Sequence, residues 1–386
     1  MLFNIPLTVR MTKILVIFDP IPDGFSVQFD LIKSILVPLS RDYNVTAATV
    51  FLPIEKQSDL EKLGIKVLKS AKKGFSLYNI LYRIGMTNET FLWTESWFRE
   101  VFFKRNQFSM GKIVNFNQYD HVINISYTIP FRNNILWIQG PPVIVTLDSI
   151  KNHNFLAKLA TTVFGDIINT MDMRHLRNMR RLSNNFVVSS GYLQKLYENL
   201  GFDTTNVIHS VKNLDAFKPS TLVPRRDYIL LYIGKETDFE PVKEMINQNL
   251  PIVAFGSKIP IGNLIDYRND KFFYRGFVSE HELIELYSNA LFTAFPFTTE
   301  GFGWVPLESM SCGTPVLTYD KDGPSETVLN GVTGALVSSP REFLLKALQW
   351  WTDKDTKIKP EMCVSRAKEF EITSSVNKLR SLLEGI

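Results

Sequence analysis

Residues 298–316 read TTEGFGWVPLESMSCGTPV, and the fold turns on how this stretch is read. Just ahead of it, Leu291–Phe295 (LFTAF) is a short continuous apolar run, the pattern of a buried strand. The turn Gly301-Phe302-Gly303 follows, and then an apolar, helix-like run. A strand that passes through a glycine turn into a helix points backbone N–H groups at one spot. The helix end adds about half a positive charge there, so the arrangement suits a phosphate. Glu300 falls on the loop before the helix and Glu308 within its first turns. Both carboxylates reach one bound polar ligand, at opposite ends of it.

Outward from this stretch, apolar runs and helical patterns alternate in both directions. Lys13–Phe18 (KILVIF) reads as a buried parallel strand. Phe25, Phe29, Ile32, Leu36 and Leu39 then recur at helical spacing after a loop that contains Gly24. Further strands are expected at Asn44–Thr49, Lys66–Leu68, His121–Ser126, Val143–Thr146 and Phe186–Ser189. A second unit of the same kind opens with Tyr228–Ile233 (YILLYI), a turn at Gly234 and a helix over Phe239–Asn247. Strands at Ile252–Phe255, Phe272–Phe277, Pro315–Thr318 and Ala335–Val337 complete it, and Ser279 with Glu282 forms a capping box for a helix through Ala290. Two long helices, about Pro340–Trp351 and Glu361–Leu383, close the chain. Such alternation predicts an α/β protein with two Rossmann-like domains. Lys218–Arg226, which contains Pro219 and Pro224, reads as the linker.

Composition narrows the class. At 386 residues the chain has room for two domains. With 45% hydrophobic and 21% charged residues it reads as globular rather than disordered, and no run approaches the ~18 apolar residues of a membrane span. A net charge of +4 suits an anionic ligand or surface and is too diffuse for nucleic acid. Two cysteines, Cys312 and Cys363, make neither a disulfide framework nor a metal cluster, so the expected compartment is reducing and cytoplasmic. Residues 1–10 read as a short extension without the apolar core of a signal peptide. Phe91–Phe108 packs seven large aromatics beside Lys104 and Arg105. Two readings stay open for it: helix–helix packing, or a greasy acceptor groove or membrane-touching helix with the protein peripheral on the inner membrane face. Asp172–Leu182 reads as an amphipathic helix whose Arg174, Arg177 and Arg181 form either a solvated face or a lipid or phosphate contact.

The segment Glu300-Gly301-Phe302-Gly303, with Glu308 and then Ser311-Cys312-Gly313-Thr314-Pro315-Val316, resembles the E-x7-E signature of the family 4 retaining glycosyltransferases. The resemblance runs on through Asp322-Gly323-Pro324-Ser325-Glu326 and Asn330-Gly331-Val332-Thr333-Gly334, and is looser in the N-terminal half. It implies a GT-B fold with two Rossmann-like domains facing across a cleft. The implied N-terminal acceptor domain is residues 1–217 with the final helix, about 368–386, crossing back onto it. The C-terminal nucleotide-sugar domain is 218–367.

It also implies transfer of a sugar from a nucleotide-diphosphate sugar to a hydroxyl of a glycan or lipid-linked acceptor. Anomeric configuration would be retained, and no metal or other cofactor would be required. Glu308 would take the ribose hydroxyls and Glu300 the donor sugar near the reacting carbon. The Gly301, Phe302 and Gly303 backbone would meet sugar or phosphate, and Phe277 and Val278 the base. Where relatives carry an arginine for the diphosphate this chain has Lys235, which keeps the charge and loses the bidentate fork. Glu240 stands near the second expected cation, and Lys243 is the nearest substitute. Asp148 falls beside the place of the family's acceptor-domain histidine, either orienting an acceptor hydroxyl or capping a helix. Gly24 is the candidate for the N-terminal loop, where the family's double glycine is missing. An inverting mechanism would need a base, for which Asp148 is the available candidate. Asp320-Lys321-Asp322 has metal-ligand spacing but falls in a loop that is structural in the family. Two other readings of the fold remain: a phosphorylase-type enzyme, and a degenerate protein that binds a nucleotide sugar or glycan without turnover.

Overall fold

The computed structural model describes residues 11–22, 26–69, 89–151, 155–210, 213–220, 224–257, 264 and 269–385; Gly24 lies outside them. In chain order the elements of the first half are β1 (Lys13–Ile17), α1 (Val27–Leu39), β2 (Asn44–Thr49), α2 (Ile54–Lys62), β3 (Lys66–Lys69), α3 (Glu89–Phe103), α4 (Arg105–Ile113), β4 (His121–Asn124), β5 (Asn133–Ile138), α5 (Val143–Ile150), α6 (Phe155–Arg181), β6 (Ser183–Val188), α7 (Gly191–Asn199) and β7 (Asn206–Val207). The second half continues with β8 (Ile229–Ile233), α8 (Phe239–Asn247), β9 (Ile252–Gly256), β10 (Phe272–Tyr274), α9 (Glu280–Asn289), β11 (Phe292–Phe295), α10 (Trp304–Ser311), β12 (Val316–Tyr319), α11 (Pro324–Thr327), β13 (Gly334–Val337), α12 (Pro340–Asp353), α13 (Pro360–Lys368) and α14 (Ile372–Glu384).

Packing divides the chain into two units: Met1–Ile138 with His175–Val187 and Val376–Ile386, and Gln139–Arg174 with Val188–Ser375. Residues 139–174 and 188–217, read from sequence as part of the N-terminal domain, therefore pack with the second unit. The last part of the C-terminal helix, from Val376, packs with the first unit. Val376, Leu379 and Leu383 are buried, Arg380 pairs with Asp42, and its guanidinium donates to Pro38 O at 3.2 Å.

In unit 1 the strands run β3-β2-β1-β4-β5-β6, with β1 parallel to both β2 and β4. In unit 2 they run β10-β9-β8-β11-β12-β13, with parallel pairing throughout. Both are the 3-2-1-4-5-6 order of doubly wound sheets, in which helices cover both faces and the strands read as unbroken apolar runs. Ile229, Leu231, Ile233, Ile252, Phe292 and Val316 are fully buried. Each such side chain contributes about 1.5–3 kcal/mol of burial.

Three readings need correction. Val143–Thr146 is the start of helix α5, not a strand. Its β-branched run suggested β, but Pro142 sits at the N-cap and Asp172 Oδ2 accepts from Val143 N at 2.8 Å, satisfying a helix-start donor. The missing strand is β5, which pairs with β4. The arginine-bearing helix is far longer than Asp172–Leu182, beginning at Phe155. The closing helix Glu361–Leu383 is two helices, α13 and α14; the chain turns at Glu369–Glu371 because Phe370 is buried against His209 and Phe302.

Candidate functional site

A doubly wound sheet opens a crevice at the carboxyl ends of the two strands where the winding reverses. In unit 2 these are β8 and β11. Gly234, Lys235 and Glu236 follow β8; Pro296–Gly303 follows β11; Asp320–Gly323 follows the next strand, β12. The chain thus delivers Lys235, Glu300 and the Gly301-Phe302-Gly303 turn to adjacent strand ends.

The loops are tied to each other. Thr237 Oγ1 accepts from Gly234 N at 2.8 Å and closes the turn after β8. Asp238 N donates to Pro296 O at 3.1 Å, and Thr298 N to Glu236 O at 2.7 Å, joining the two switch-point loops. Lys321 Nζ donates to Thr298 O at 2.8 Å. The loop with Glu300 rests on Gly323: a Cβ there would lie 2.3 Å from Phe302 Cα and 2.5 Å from Gly301 O. Gly323 N donates to Glu300 O at 3.1 Å, and Glu300 N to Asp322 Oδ2 at 3.4 Å. Ser190 Oγ donates to Gly301 O at 2.6 Å. Phe302 is buried, stacked on His209 with ring centroids 5.2 Å apart. Gly303 then takes φ +97 at the N-cap of α10, a left-handed conformation that costs glycine little.

Glu300 accepts from Phe302 N at 3.2 Å. Burial pushes its pKa up to about 7, the charge of Glu236 adds to the rise, and the Phe302 and Gly303 N–H groups and Lys235 oppose it. Glu236 is raised by burial too, with the Lys235 charge as the main counterweight. Lys235 itself is exposed. Tyr232 lies over this cluster. Burial holds its hydroxyl proton firmly, and the charges of Glu236, Glu300 and Glu308 reinforce that. Gly234 makes room for the ring: a Cβ would meet Tyr232 Cε1 at 2.5 Å and Glu236 Oε1 at 2.7 Å. Tyr192 is pushed up to about 12, first by burial and then by Asp322 and Glu300. Glu308 is buried in α10 and accepts from Tyr287 OH at 2.9 Å. At the switch point, then, a carboxyl whose proton is held by burial, a second carboxylate and a helix start come together beside the exposed Lys235.

The structure brings together Glu300, Glu308, Gly301, Phe302, Gly303 and Lys235. Phe277 and Val278 follow β10 and Gly276; Phe277 is exposed, and Val278 is half-buried against the core. Lys243 is half-buried on α8. Asp148 is neither at a strand end nor an N-cap. It lies in the last turn of α5, exposed, with Lys151 Nζ 2.6 Å from its Oδ1. Its neighbour Ser149 accepts from Thr298 Oγ1 at 3.3 Å, which places that helix end against the Glu300 loop. Of the Asp-Lys-Asp spacing, Asp322 accepts from the Glu300 amide and Lys321 donates to the Thr298 carbonyl. No group of three or more His, Cys, Asp or Glu able to hold a metal occurs among the described residues.

Sequence reasoning missed Tyr232, Glu236 and Tyr192. The first two stand two residues either side of Gly234, a spacing that could have drawn attention to them. Tyr192 comes from a helix more than a hundred residues from Glu300, and no local signal marks it. The switch point of unit 1 was missed as well. There Asp19, just past β1, is buried and accepts from Ser126 Oγ at 2.5 Å, Tyr127 N at 2.9 Å, and Thr128 N at 3.0 Å and Oγ1 at 2.7 Å. Burial outweighs these bonds and raises its pKa.

Residues 266–370 match the family described as glycosyl transferases group 1. A D-inositol 3-phosphate glycosyltransferase of Streptosporangium roseum is 45% identical over 58 residues, 15% of this chain and 13% of that protein. The match thus spans about an eighth of that curated relative. Among solved structures, a sucrose-phosphate synthase from Thermosynechococcus elongatus superposes with TM-score 0.66 at 14% identity, covering 97% of this chain and 98% of that one. HepE of Anabaena, solved in complex with UDP, superposes with TM-score 0.62 at 14% identity, covering 97% and 100%. These superpositions identify the fold as that of the GT-B glycosyltransferases.

Proposed function

We propose that the protein transfers a sugar from a nucleotide-diphosphate sugar to a hydroxyl of a glycan or lipid-linked acceptor, with retention of configuration and without a metal ion. The observation that carries this reading is the meeting of Glu300, Glu308 and the glycine-turned start of α10 at one switch point. Departure of the diphosphate builds negative charge, and preorganised donors at that spot lower the barrier. The α10 N-terminus and Lys235, with Lys243 as a second cation, are the positive groups assigned to it. Glu308, buried and held by Tyr287, takes the ribose hydroxyls; Glu300 meets the donor sugar. Phe277 and Val278 flank the base, and Lys243 is a secondary donor contact. In a front-face reaction the leaving phosphate takes the acceptor proton, so no enzymatic base is needed. Asp148 orients the acceptor hydroxyl once Lys151 releases it. A lipid-linked acceptor goes with a peripheral station on the inner membrane face.

HepE was solved with UDP and with UDP-glucose, so uridine nucleotides are the first donors to test. The decisive experiment is calorimetric titration of nucleotides and nucleotide sugars in EDTA, on wild type and Glu308→Ala. Binding of one nucleotide class, weakened about 10- to 100-fold in the variant, supports the site, since a hydrogen bond to a charged group carries about 1.5–3 kcal/mol. Acceptor-dependent release of nucleotide, insensitive to EDTA, then supports turnover. A second reading, binding without turnover, has one observation behind it: Glu240 stands where a second diphosphate cation is expected, leaving Lys235 and Lys243. Nucleotide-sugar binding with no release of nucleotide for any acceptor would favour it.

A further inference from the structure

We propose that the corner between α3 and α4 is a membrane-docking face for anionic lipid. Phe98, Phe102, Phe103 and Phe108 are 46%, 47%, 61% and 66% exposed. Phe98 lies 4.3 Å from Phe102 and 6.0 Å from Phe103 between ring centroids, so these three rings form one patch, with Phe108 exposed on the adjoining helix. Contiguous exposed aromatics of this kind mark an interaction site.

Charge selects the partner. Lys104, Arg105 and Lys112 are exposed beside the rings, Arg105 at 5.9 Å from Phe103 and Lys112 at 4.1 Å from Phe108. Between Ser96 and Tyr119 the only acidic residue is Glu100, and it is buried. Within residues 96–119, then, the exposed side chains include these rings and cations, and the single carboxylate is turned inward. Aromatics at the depth of the headgroups with cations above them match an anionic bilayer surface.

The corner is held stiffly from within. Lys104 turns the chain with φ +53, and Glu100 Oε2 accepts from Asn106 N and Gln107 N, both at 2.9 Å, capping α4. Asn106 Nδ2 donates to Ser96 O and Thr128 O, each at 2.9 Å, which ties the turn to the strand-end network around Asp19. Because the inner side is fixed by buried polar bonds, the phenylalanines cannot fold inward without breaking them. The exposure is built in.

Vesicle flotation tests this with the full chain. The protein is expected to float with vesicles of equal parts phosphatidylcholine and phosphatidylglycerol, to stay behind with phosphatidylcholine alone, and to be released by salt. Phe103→Ser with Phe108→Ser should lower vesicle affinity about tenfold or more by removing inserted apolar surface. Lys112→Glu should lower it at least about fivefold, the loss expected for one surface cation. Unchanged thermal melting and unchanged nucleotide binding in these variants would show that fold and donor site are intact, which separates this inference from the proposed activity. Failure of wild type to float with either vesicle, or equal flotation of wild type and the phenylalanine variant, overturns it. If instead the phenylalanine variant converts a dimer to a monomer in sedimentation while no vesicle binds, the face belongs to a second copy of the chain and the inference is wrong.

Discussion

Glu300 carries a testable pH signature. Its pKa is about 7 in the fold against 4.5 for an ordinary glutamate, because burial and Glu236 disfavour its charge. The folded chain thus holds this proton where the unfolded chain releases it. The stability tied to that difference is fully present below about pH 4.5 and is lost as pH rises through about 7. The melting temperature of wild type relative to Glu300→Gln should therefore fall across this window and level off above it. A constant difference would contradict the buried-carboxyl account. The same protonation bears on the ligand. A nucleotide sugar has no phosphate proton in this range, so its binding should weaken as pH rises through 7 in wild type and stay flatter in Glu300→Gln. At Glu308 the neighbour is informative. Tyr287→Phe removes the hydroxyl that donates to Glu308 Oε2 and should cost about 1–3 kcal/mol of stability, with a smaller loss of nucleotide affinity than Glu308→Ala. Chemical denaturation and calorimetry read the two effects separately.

At the scale of elements, the loop bearing Glu300 is positioned by α11's approach as much as by its own sequence. Gly323→Ala would drive a methyl into Phe302 Cα and Gly301 O, and backbone cannot yield as a flexible side chain does. Overpacking of this kind costs about 1–3 kcal/mol. The expectation is a lower melting point together with weaker nucleotide binding, whereas Gly331→Ala, with open space around it, should lose only what its φ of +74 demands. Equal binding in both variants would detach Gly323 from the site. This dependence shows why sequence reached part of the site and not all. Glu300, Gly303 and Glu308 lie on one continuous strand–turn–helix unit, so periodicity and glycine spacing placed them. Gly323, Ser190 and Tyr192 act across the fold, and nothing in their local sequence says which loop they will meet. The same limit explains α5. Val143-Ile144-Val145-Thr146 has β-branched propensity, and it is the Asp172 carboxylate, 29 residues away, that makes it the first turn of a helix. The apolar runs of β1, β2, β8 and β12 had no such competition and were legible to within a residue or two.

At the scale of the molecule, the chain's last segment contributes to the unit in which it began. Val376–Ile386 is separated by most of the sequence from β1, yet packs in the same unit. Leu379 is fully buried and Arg380 reaches Asp42 and the Pro38 carbonyl at the end of α1. Two terms of different size are involved. The Arg380–Asp42 pair lies at the surface, where such pairs contribute about 0–1 kcal/mol. Leu379→Ala removes a buried side chain and leaves a cavity, at about 2–5 kcal/mol. Apolar packing, rather than the ion pair, should therefore hold the helix. Leu379→Ala should lower denaturant resistance much more than Asp42→Asn. Removing residues 376–386 should be worse than either, since Val376, Leu379 and Leu383 all leave the core together. Because Glu300, Glu308, Lys235 and their supporting loops belong wholly to the other unit, nucleotide binding by Leu379→Ala should match wild type at temperatures below its melting transition. If Asp42→Asn proved the more damaging change, or if Leu379→Ala abolished nucleotide binding while still folded, the C-terminal helix would be acting on the site and not only on the core that it completes.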